Sequence, residues 1–277
     1  MKTVITFSFL LFFCLSSFSE IFTLDLNSPN QFTDNFQTSY TGTPVSQQSD
    51  GGLGGSGSID FTSGDGTQGW HTKFSFDPID VGVSLSLSYA FQYHDNDAGI
   101  KSSSGVKIGF CTDPTSPSDQ SGMPSSGLLG DLGMWSWGTH LSDTLSSGSS
   151  GMISGGLGNA ISMTDYGWYE IGLALSRTAD TTYDITYSFW SLNDDGEKDT
   201  QLGFNTGAHD SSKFNTTLYP FLALENPGAE ATFNALDNIT LSSTGTINDL
   251  AIPEPSSLTL AGFIAAFAFF IRRRMMI

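Results

Sequence analysis

From Val81 to Tyr93 the chain alternates without a break. Val81, Val83, Leu85, Leu87, Tyr89, Phe91 and Tyr93 fall on one side, and Gly82, Ser84, Ser86, Ser88, Ala90 and Gln92 on the other. A helix brings residues three and four apart onto one face, so it would scatter these apolar residues around its circumference. A strand sends successive side chains to opposite faces and gathers them. Small and polar residues on the second face predict a strand with one side in a core and the other toward water.

The same period recurs along the chain. Val106, Ile108 and Phe110 alternate with Lys107, Gly109 and Cys111, and Tyr169, Ile171, Leu173 and Leu175 alternate with Glu170, Gly172, Ala174 and Ser176. After the turn-like Thr178-Ala179-Asp180-Thr181, the series Tyr183, Ile185, Tyr187, Phe189 predicts the second arm of a long antiparallel hairpin. Asp195-Gly196 predicts a turn before Leu202 to Phe204, and Leu218 to Leu224 and Phe233 to Leu241 complete the series. Shorter strands are expected at Phe22 to Leu26, Ile59 to Phe61 and His71 to Phe76. Roughly ten to thirteen strands with little helix predict an all-β sandwich or barrel. The chain has no internal repeat of solenoid or propeller length. Two Gly/Ser-rich stretches, Ser46 to Ser58 and Ser142 to Gly158, read as flexible loops, because apolar strands continue on both sides.

Composition supports a packed core. Of 277 residues, 13% are aromatic and only 14% charged, enough apolar surface to oppose disorder. Cysteine is nearly absent: Cys14 lies in the apolar N-terminal run and Cys111 in the body. Removal of the first segment would leave one thiol, no intrachain disulfide and no Cys/His zinc cluster.

The two ends differ from the body. Met1 to Ser19 reads as a signal peptide: Lys2 is the basic start, Val4 to Leu15 the apolar stretch, and Ser17 and Ser19 the small residues that precede a cleavage site before Glu20. Phe13, in front of Cys14, is too large for lipoprotein processing. At the other end Pro253-Glu254-Pro255 precedes an apolar run, Leu258 to Ile271, followed by Arg272-Arg273-Arg274. The run is roughly 14 residues, about 21 Å as a helix. Ser256 and Ser257 extend it, and the arginines can snorkel to the head groups. Cations at both ends place both on the cytoplasmic side and the body outside.

This three-part tail resembles the PEP-CTERM sorting signal of bacterial exosortase substrates. The resemblance covers about the last two dozen residues. It implies an inner-membrane-anchored precursor, an exosortase as processing partner, and cleavage near Pro253, Glu254 and Pro255 with loss of the helix and Arg272, Arg273 and Arg274. The two prolines would keep that motif extended and accessible. In the body, FTDNFQ (Phe32 to Gln37), GWYEIGLALSRTADTTYDITYSFW (Gly167 to Trp190) and LDNITLSS (Leu236 to Ser243) loosely resemble a concanavalin A-like, laminin G-like jelly roll. The expected organisation is a signal peptide over 1–19, an antiparallel jelly-roll-type β-sandwich over 20–249, and a sorting tail over 250–277 with one short transmembrane helix at about 256–271.

Sets of residues that carry catalysis are scarce. Glycoside hydrolysis needs two carboxylates across the scissile bond, and the acidic E-x-D-x-E strand of glucanases built on such sandwiches is missing. The nearest alternation, Asn193, Asp195, Glu197 and Asp199, contains Asp-Gly and reads as a solvated turn. There is no G-x-S-x-G or H-E-x-x-H motif. His71, His94, His140 and His209 are far apart in sequence and read as isolated surface or loop residues. No cofactor is expected, with calcium as the one metal candidate: Asp95 and Asp97 in HDNDAG offer hard oxygen ligands at a strand end, against the alternative of an Asx-rich turn. Trp135 and Trp137 share one face if their segment is extended and are candidates for stacking on sugars, against the alternative of core packing. Trp70 and Trp168 are open between the same two readings.

Charge excludes other partners. The net charge of −18 becomes more negative once Lys2 and the three tail arginines are set aside, a surface that repels nucleic acid and anionic lipid. The sequence therefore predicts a non-enzymatic exported protein of the cell envelope, cell surface or extracellular matrix. Its expected role is structural or adhesive, with exopolysaccharide as the candidate ligand. The alternative is a secreted carbohydrate-active enzyme, a hydrolase or lyase, on the same sandwich.

Overall fold

The computed structural model describes residues 20–40, 46–60, 68–76, 79–93, 105–114, 128–137, 140–146, 161–162, 166–210, 216–225, 233–244 and 247–248. In chain order its strands are β1 (Glu20–Leu24), β2 (Phe36–Tyr40), β3 (Ser46–Gln48), β4 (Ser58–Asp60), β5 (Gln68–Thr72), β6 (Ser75–Phe76) and β7 (Ser84–Tyr93). They continue with β8 (Gly105–Cys111), β9 (Leu128–Trp137), β10 (His140–Ser146), β11 (Ile161–Ser162), β12 (Gly167–Arg177) and β13 (Thr182–Leu192). The last four are β14 (Lys198–Asp210), β15 (Tyr219–Glu225), β16 (Phe233–Ser243) and β17 (Ile247–Asn248). One short helix, α1 (Gln31–Asn35), precedes β2. Among the described residues no helix is long and apolar enough to cross a membrane.

These strands form an antiparallel jelly-roll-type β-sandwich, as the alternation predicts. The larger sheet has the order β14-β13-β12-β7-β16-β4-β3, with β1 also paired to β16; the second has the order β11-β10-β9-β8-β15-β5-β2. Neighbours β4, β16 and β7 in one sheet lead to or from neighbours β5, β15 and β8 in the other. The chain thus wraps from sheet to sheet as a nested set of antiparallel pairs, and β17 with β6 makes a separate small ribbon.

The core lies between the sheets and follows the alternation. Leu85, Leu87, Tyr89, Phe91 and Tyr93 are buried on β7, and Tyr169, Ile171, Leu173 and Leu175 meet four of them in register on β12. Tyr183, Ile185, Tyr187 and Phe189 extend this layer on β13. The facing sheet contributes Val106, Ile108, Phe110, Leu222 and Leu224. Phe91, Tyr169 and Phe189 stack with centroids 5.6 to 6.1 Å apart, a geometry worth about 0.5–1.5 kcal/mol per pair beyond area burial. Trp70 belongs to the core, edge-on to Phe32 at 5.5 Å. A buried Tyr89 hydroxyl donates to the Lys107 carbonyl at 3.0 Å and ties β7 to β8 across the sandwich.

The expected hairpin is present: β12 and β13 pair continuously from Tyr169 with Ser191 to Arg177 with Tyr183. Its tip is held by Arg177, whose guanidinium donates to the carbonyls of Ile79, Ala179 and Asp180. The predicted turn at Asp195-Gly196 also forms, with Gly196 at φ +81° and its N–H donating to the Asn193 carbonyl at 2.9 Å. Asn193 Oδ1 accepts from the N–H groups of Asp195 and Glu197, so the acidic alternation is an exposed turn.

Phe32 to Gln37 opens with helix α1, in which buried Phe32 stacks on Phe36 at 4.9 Å. Both stretches read as flexible loops differ from that reading: Ser142 to Ser146 belongs to β10. Ser46 to Ser58 is no flexible loop: it contains β3, a 3-10 turn at Leu53–Gly55 and the start of β4. The cause is buried Asp237 on β16, whose Oδ2 accepts from the Leu53 N–H at 2.9 Å and the Ser56 hydroxyl at 2.5 Å. Burial raises the pKa of this carboxyl above its ordinary value, against the hydrogen bonds from Ser56, Asn238 and Leu53.

Candidate functional site

The outward face of the larger sheet is built of small residues and hydroxyls. On β7 these are Ser84, Ser86 and Ser88, and register sets Ser176, Ala174 and Gly172 of β12 beside them. Asp184, Thr186 and Ser188 of β13 follow, and then Ala208, Thr206 and Phe204 of β14. On the other side Ser242 and Thr240 of β16 lie against Ser86 and Ser88, and Ile21 and Thr23 of β1 against Ser242 and Thr240. Cross-strand hydroxyls pair at Ser84–Ser176 (2.7 Å), Ser86–Ser242 (2.7 Å), Thr186–Thr206 (3.1 Å) and Thr23–Thr240 (3.4 Å). Each hydroxyl offers one donor and two acceptor lone pairs, so each pair keeps capacity for a ligand.

At the centre of this face a groove of about 150 Å³ opens over Gly172 and Ala174. Gly172 makes it: a Cβ there would come within 2.6 Å of the Ser188 hydroxyl oxygen. Ser86, Ser88, Thr186 and Ser188 line the sides, and Glu170 and Lys198 close one end. Lys198 Nζ lies 2.8 Å from Glu170 Oε1 and 5.5 Å from the ring centre of Trp190. Trp190 is paired with Glu170 in the β12–β13 ladder and is half-buried on the same face. One end of the groove therefore holds a carboxylate and an ammonium group, with the Trp190 ring beside them under Lys198, and its sides hold neutral hydroxyls.

The smaller sheet carries buried polar groups on its face away from the core. His71 is only 3% exposed, which corrects its reading as a surface or loop residue. Its ring nitrogens lie 2.5 Å from the Gln37 amide nitrogen and 2.5 Å from the Ser39 hydroxyl, and burial lowers its pKa. Lys107 and Cys111 are also buried. Burial first, and then the charge of Asp113, pushes the Cys111 thiol up to about 12, which keeps it protonated and a poor nucleophile.

Other residues singled out from sequence fall elsewhere. Trp135 and Trp137 lie on β9, where Trp135 pairs with Gly105 and Ser142, and Trp137 with His140. Trp168, by contrast, is half-buried on β12 opposite Gln92 and shares the outward face with Glu170, two residues further on. Asp95, Asp97, Pro253, Glu254, Pro255, Arg272, Arg273 and Arg274 lie outside the described residues. Among the described residues no three His, Cys, Asp or Glu side chains converge on a metal position. Glu170 and Lys198 of the groove, and Trp190 beside it, were not singled out as a site in the sequence. The available signal was parity: Trp190 falls on the polar side of the hairpin whose apolar side is Tyr183 to Phe189.

No protein-family model matches the chain, and no curated protein matches it. Among solved structures it is similar to lectin II from Ulex europaeus, with 12% identity, 81% of this chain and 98% of that chain covered, and a TM-score of 0.46. It is also similar to peanut lectin with a 9mer peptide, at 12% identity, 83% and 98% coverage and a TM-score of 0.47. A third is the metal-free form of the Emp46p carbohydrate recognition domain, at 9% identity, 80% and 95% coverage and a TM-score of 0.47.

Proposed function

We propose that this chain is an exported envelope or matrix protein that binds polysaccharide through the groove over Gly172. The observation that carries the binding reading is the pairing of Glu170 and Lys198 at one end of a groove walled by serine and threonine hydroxyls, with the Trp190 ring next to that pair on the same face. A sugar ring has an apolar C–H face and a rim of hydroxyls. The electron-rich face of an indole suits the first, and carboxylate, ammonium and hydroxyl groups suit the second. The groove lining supplies one carboxylate, Glu170, among the described residues. Hydrolysis calls for two, so binding without cleavage is the reading favoured.

The sorting part of the proposal rests on sequence. The basic and apolar start, the Pro253-Glu254-Pro255 motif, the apolar run and Arg272 to Arg274 support export, membrane anchoring of the precursor and processing by an exosortase. The strongly acidic body suits display outside the cell, away from nucleic acid.

Retention of the full chain on immobilised neutral polysaccharides tests the binding reading. Wild type is expected to be held, Trp190→Ala and Glu170→Gln to elute early, and the polymer to be recovered uncut. No retention on any polysaccharide, equal retention of Trp190→Ala, or release of oligosaccharides would overturn it. Mass spectrometry of both ends of the mature protein tests the sorting reading. The expected termini are near Glu20 and Pro253–Pro255, and a mature chain uncut at both ends would overturn it.

A further inference from the structure

We infer that the ligand is an extended, uncharged polysaccharide that runs across the strands along two rows of residues, not along a single strand. This deepens the binding proposal and rests on it. The first row is Thr23, Thr240, Ser88, Gly172, Ser188 and Phe204, traced by register through β1, β16, β7, β12, β13 and β14. The second is Ile21, Ser242, Ser86, Ala174, Thr186 and Thr206 on the same strands. Hydroxyls hold the interior of both rows except at β12, where Gly172 leaves bare backbone and Ala174 a methyl group. The large apolar residues stand at the ends: Ile21 is 66% exposed and Phe204 54% exposed.

The spacing of the strands sets the ligand's shape. Adjacent strands lie about 4.8 Å apart, so the five spacings from β1 to β14 span roughly 24 Å. The strand spacing is close to the rise of one sugar in an extended glycan, so successive sugars meet successive strands, with a hydroxyl on every strand of the track except β12. The groove over Gly172 is the low point midway along this track, and its neighbours Ala174 and Ser188 keep the path shallow.

Charge sets the ligand's class. The cation of this face that borders the groove, Lys198, already faces Glu170 at 2.8 Å and Trp190 at 5.5 Å. Asp184 lies on the same face, one step along from Thr186, and the whole chain is strongly acidic. A polyuronate or sulfated polymer would meet repulsion, and the groove lining holds no second cation among the described residues to answer it. The hydroxyl rows are neutral donors and acceptors, suited to a neutral glycan.

Calorimetric titration of the full chain in detergent micelles with neutral glucan and mannan oligosaccharides of two, four and six units tests this, with oligouronates of the same lengths alongside. Affinity for one neutral series is expected to rise about tenfold from the dimer to the hexamer, and the oligouronates to bind at least tenfold more weakly. Thr23→Val and Thr206→Val keep the branched strand-forming shape and delete one hydroxyl near each end of the track. Each is expected to weaken the hexamer severalfold and leave the dimer unchanged. Affinity already maximal at the dimer, preference for uronates, or an unchanged hexamer affinity in both variants would overturn the track while leaving groove binding intact. Failure to bind any oligosaccharide would remove the binding proposal, and this inference with it.

Discussion

The Lys198 ammonium sits 2.8 Å from the Glu170 carboxylate and 5.5 Å from the centre of the Trp190 ring, so one cation orients two groups at the end of the groove. The Lys198 side chain is 49% exposed and that of Glu170 18%; such a pair contributes about 0.2–1 kcal/mol to stability. Lys198→Met is therefore expected to shift the melting temperature by no more than about 2–4 °C. Oligosaccharide affinity should fall by about tenfold, because Glu170 and Trp190 lose the group that holds them. A thermal melt and a titration on the same sample read both numbers. A large fall in melting temperature would assign Lys198 to the fold instead.

The Tyr89 hydroxyl is buried between the sheets and donates to the Lys107 carbonyl. Burial raises the phenol's pKa far above its ordinary value, so it stays protonated and a donor at any physiological pH. Tyr89→Phe keeps the ring packing and removes one hydrogen bond. The expected loss is about 1 kcal/mol, seen as about 2–4 °C in a thermal melt, with binding unchanged because the residue faces the core.

His71 gives the fold a pH dependence of definite sign. Burial lowers its folded pKa below the ordinary 6.5, so below that pH the unfolded chain takes up a proton that the folded chain resists. Its contribution is complete above pH 6.5 and is lost as pH falls toward the folded pKa. Denaturant midpoints measured downward from pH 7.5 should decrease, and His71→Gln should flatten that slope while lowering the midpoint at pH 7.5. A parallel slope in the variant would exclude His71 as its source.

The strands were legible where one face is buried, because alternation then appears directly in the residues. Leu85 to Tyr93 on β7 and Tyr169 to Phe189 across β12 and β13 are such cases, and their register follows once the hairpin turn is found. The groove was harder to see. It consists of what is absent at Gly172 of β12 and of hydroxyls from β7 and β13, which become one surface only after these three strands align. Glu170 and Trp190 are twenty residues apart in the chain and direct neighbours in the ladder. The structured segment at Ser46 to Ser58 was illegible for a related reason. Its composition is that of a free loop, and the residue that orders it, Asp237, lies far along the sequence.

That segment supports one last test. Gly57 packs so closely that a Cβ would lie within 1.9 Å of the Leu26 carbonyl oxygen, and neither backbone can yield without opening the segment. Asp237→Ala removes the acceptor for the Leu53 N–H, leaving it unpaired at about 1–3 kcal/mol, while the Ser56 hydroxyl keeps the Leu53 carbonyl as its acceptor at 2.6 Å. Gly57→Ala and Asp237→Ala should each destabilise the sandwich and expose the Leu53 and Ser56 amides to hydrogen exchange. Because both release the same segment, the double variant should lose less than the sum of the two. Burial holds the Asp237 pKa above 3.8 in the folded chain. Its contribution is thus fullest below 3.8 and is lost as pH rises through the folded value. The deficit of Asp237→Ala should accordingly widen as pH is lowered toward 3.8. A deficit that shrinks on acidification would mean that the hydrogen bonds from Leu53, Ser56 and Asn238 outweigh burial at this carboxylate.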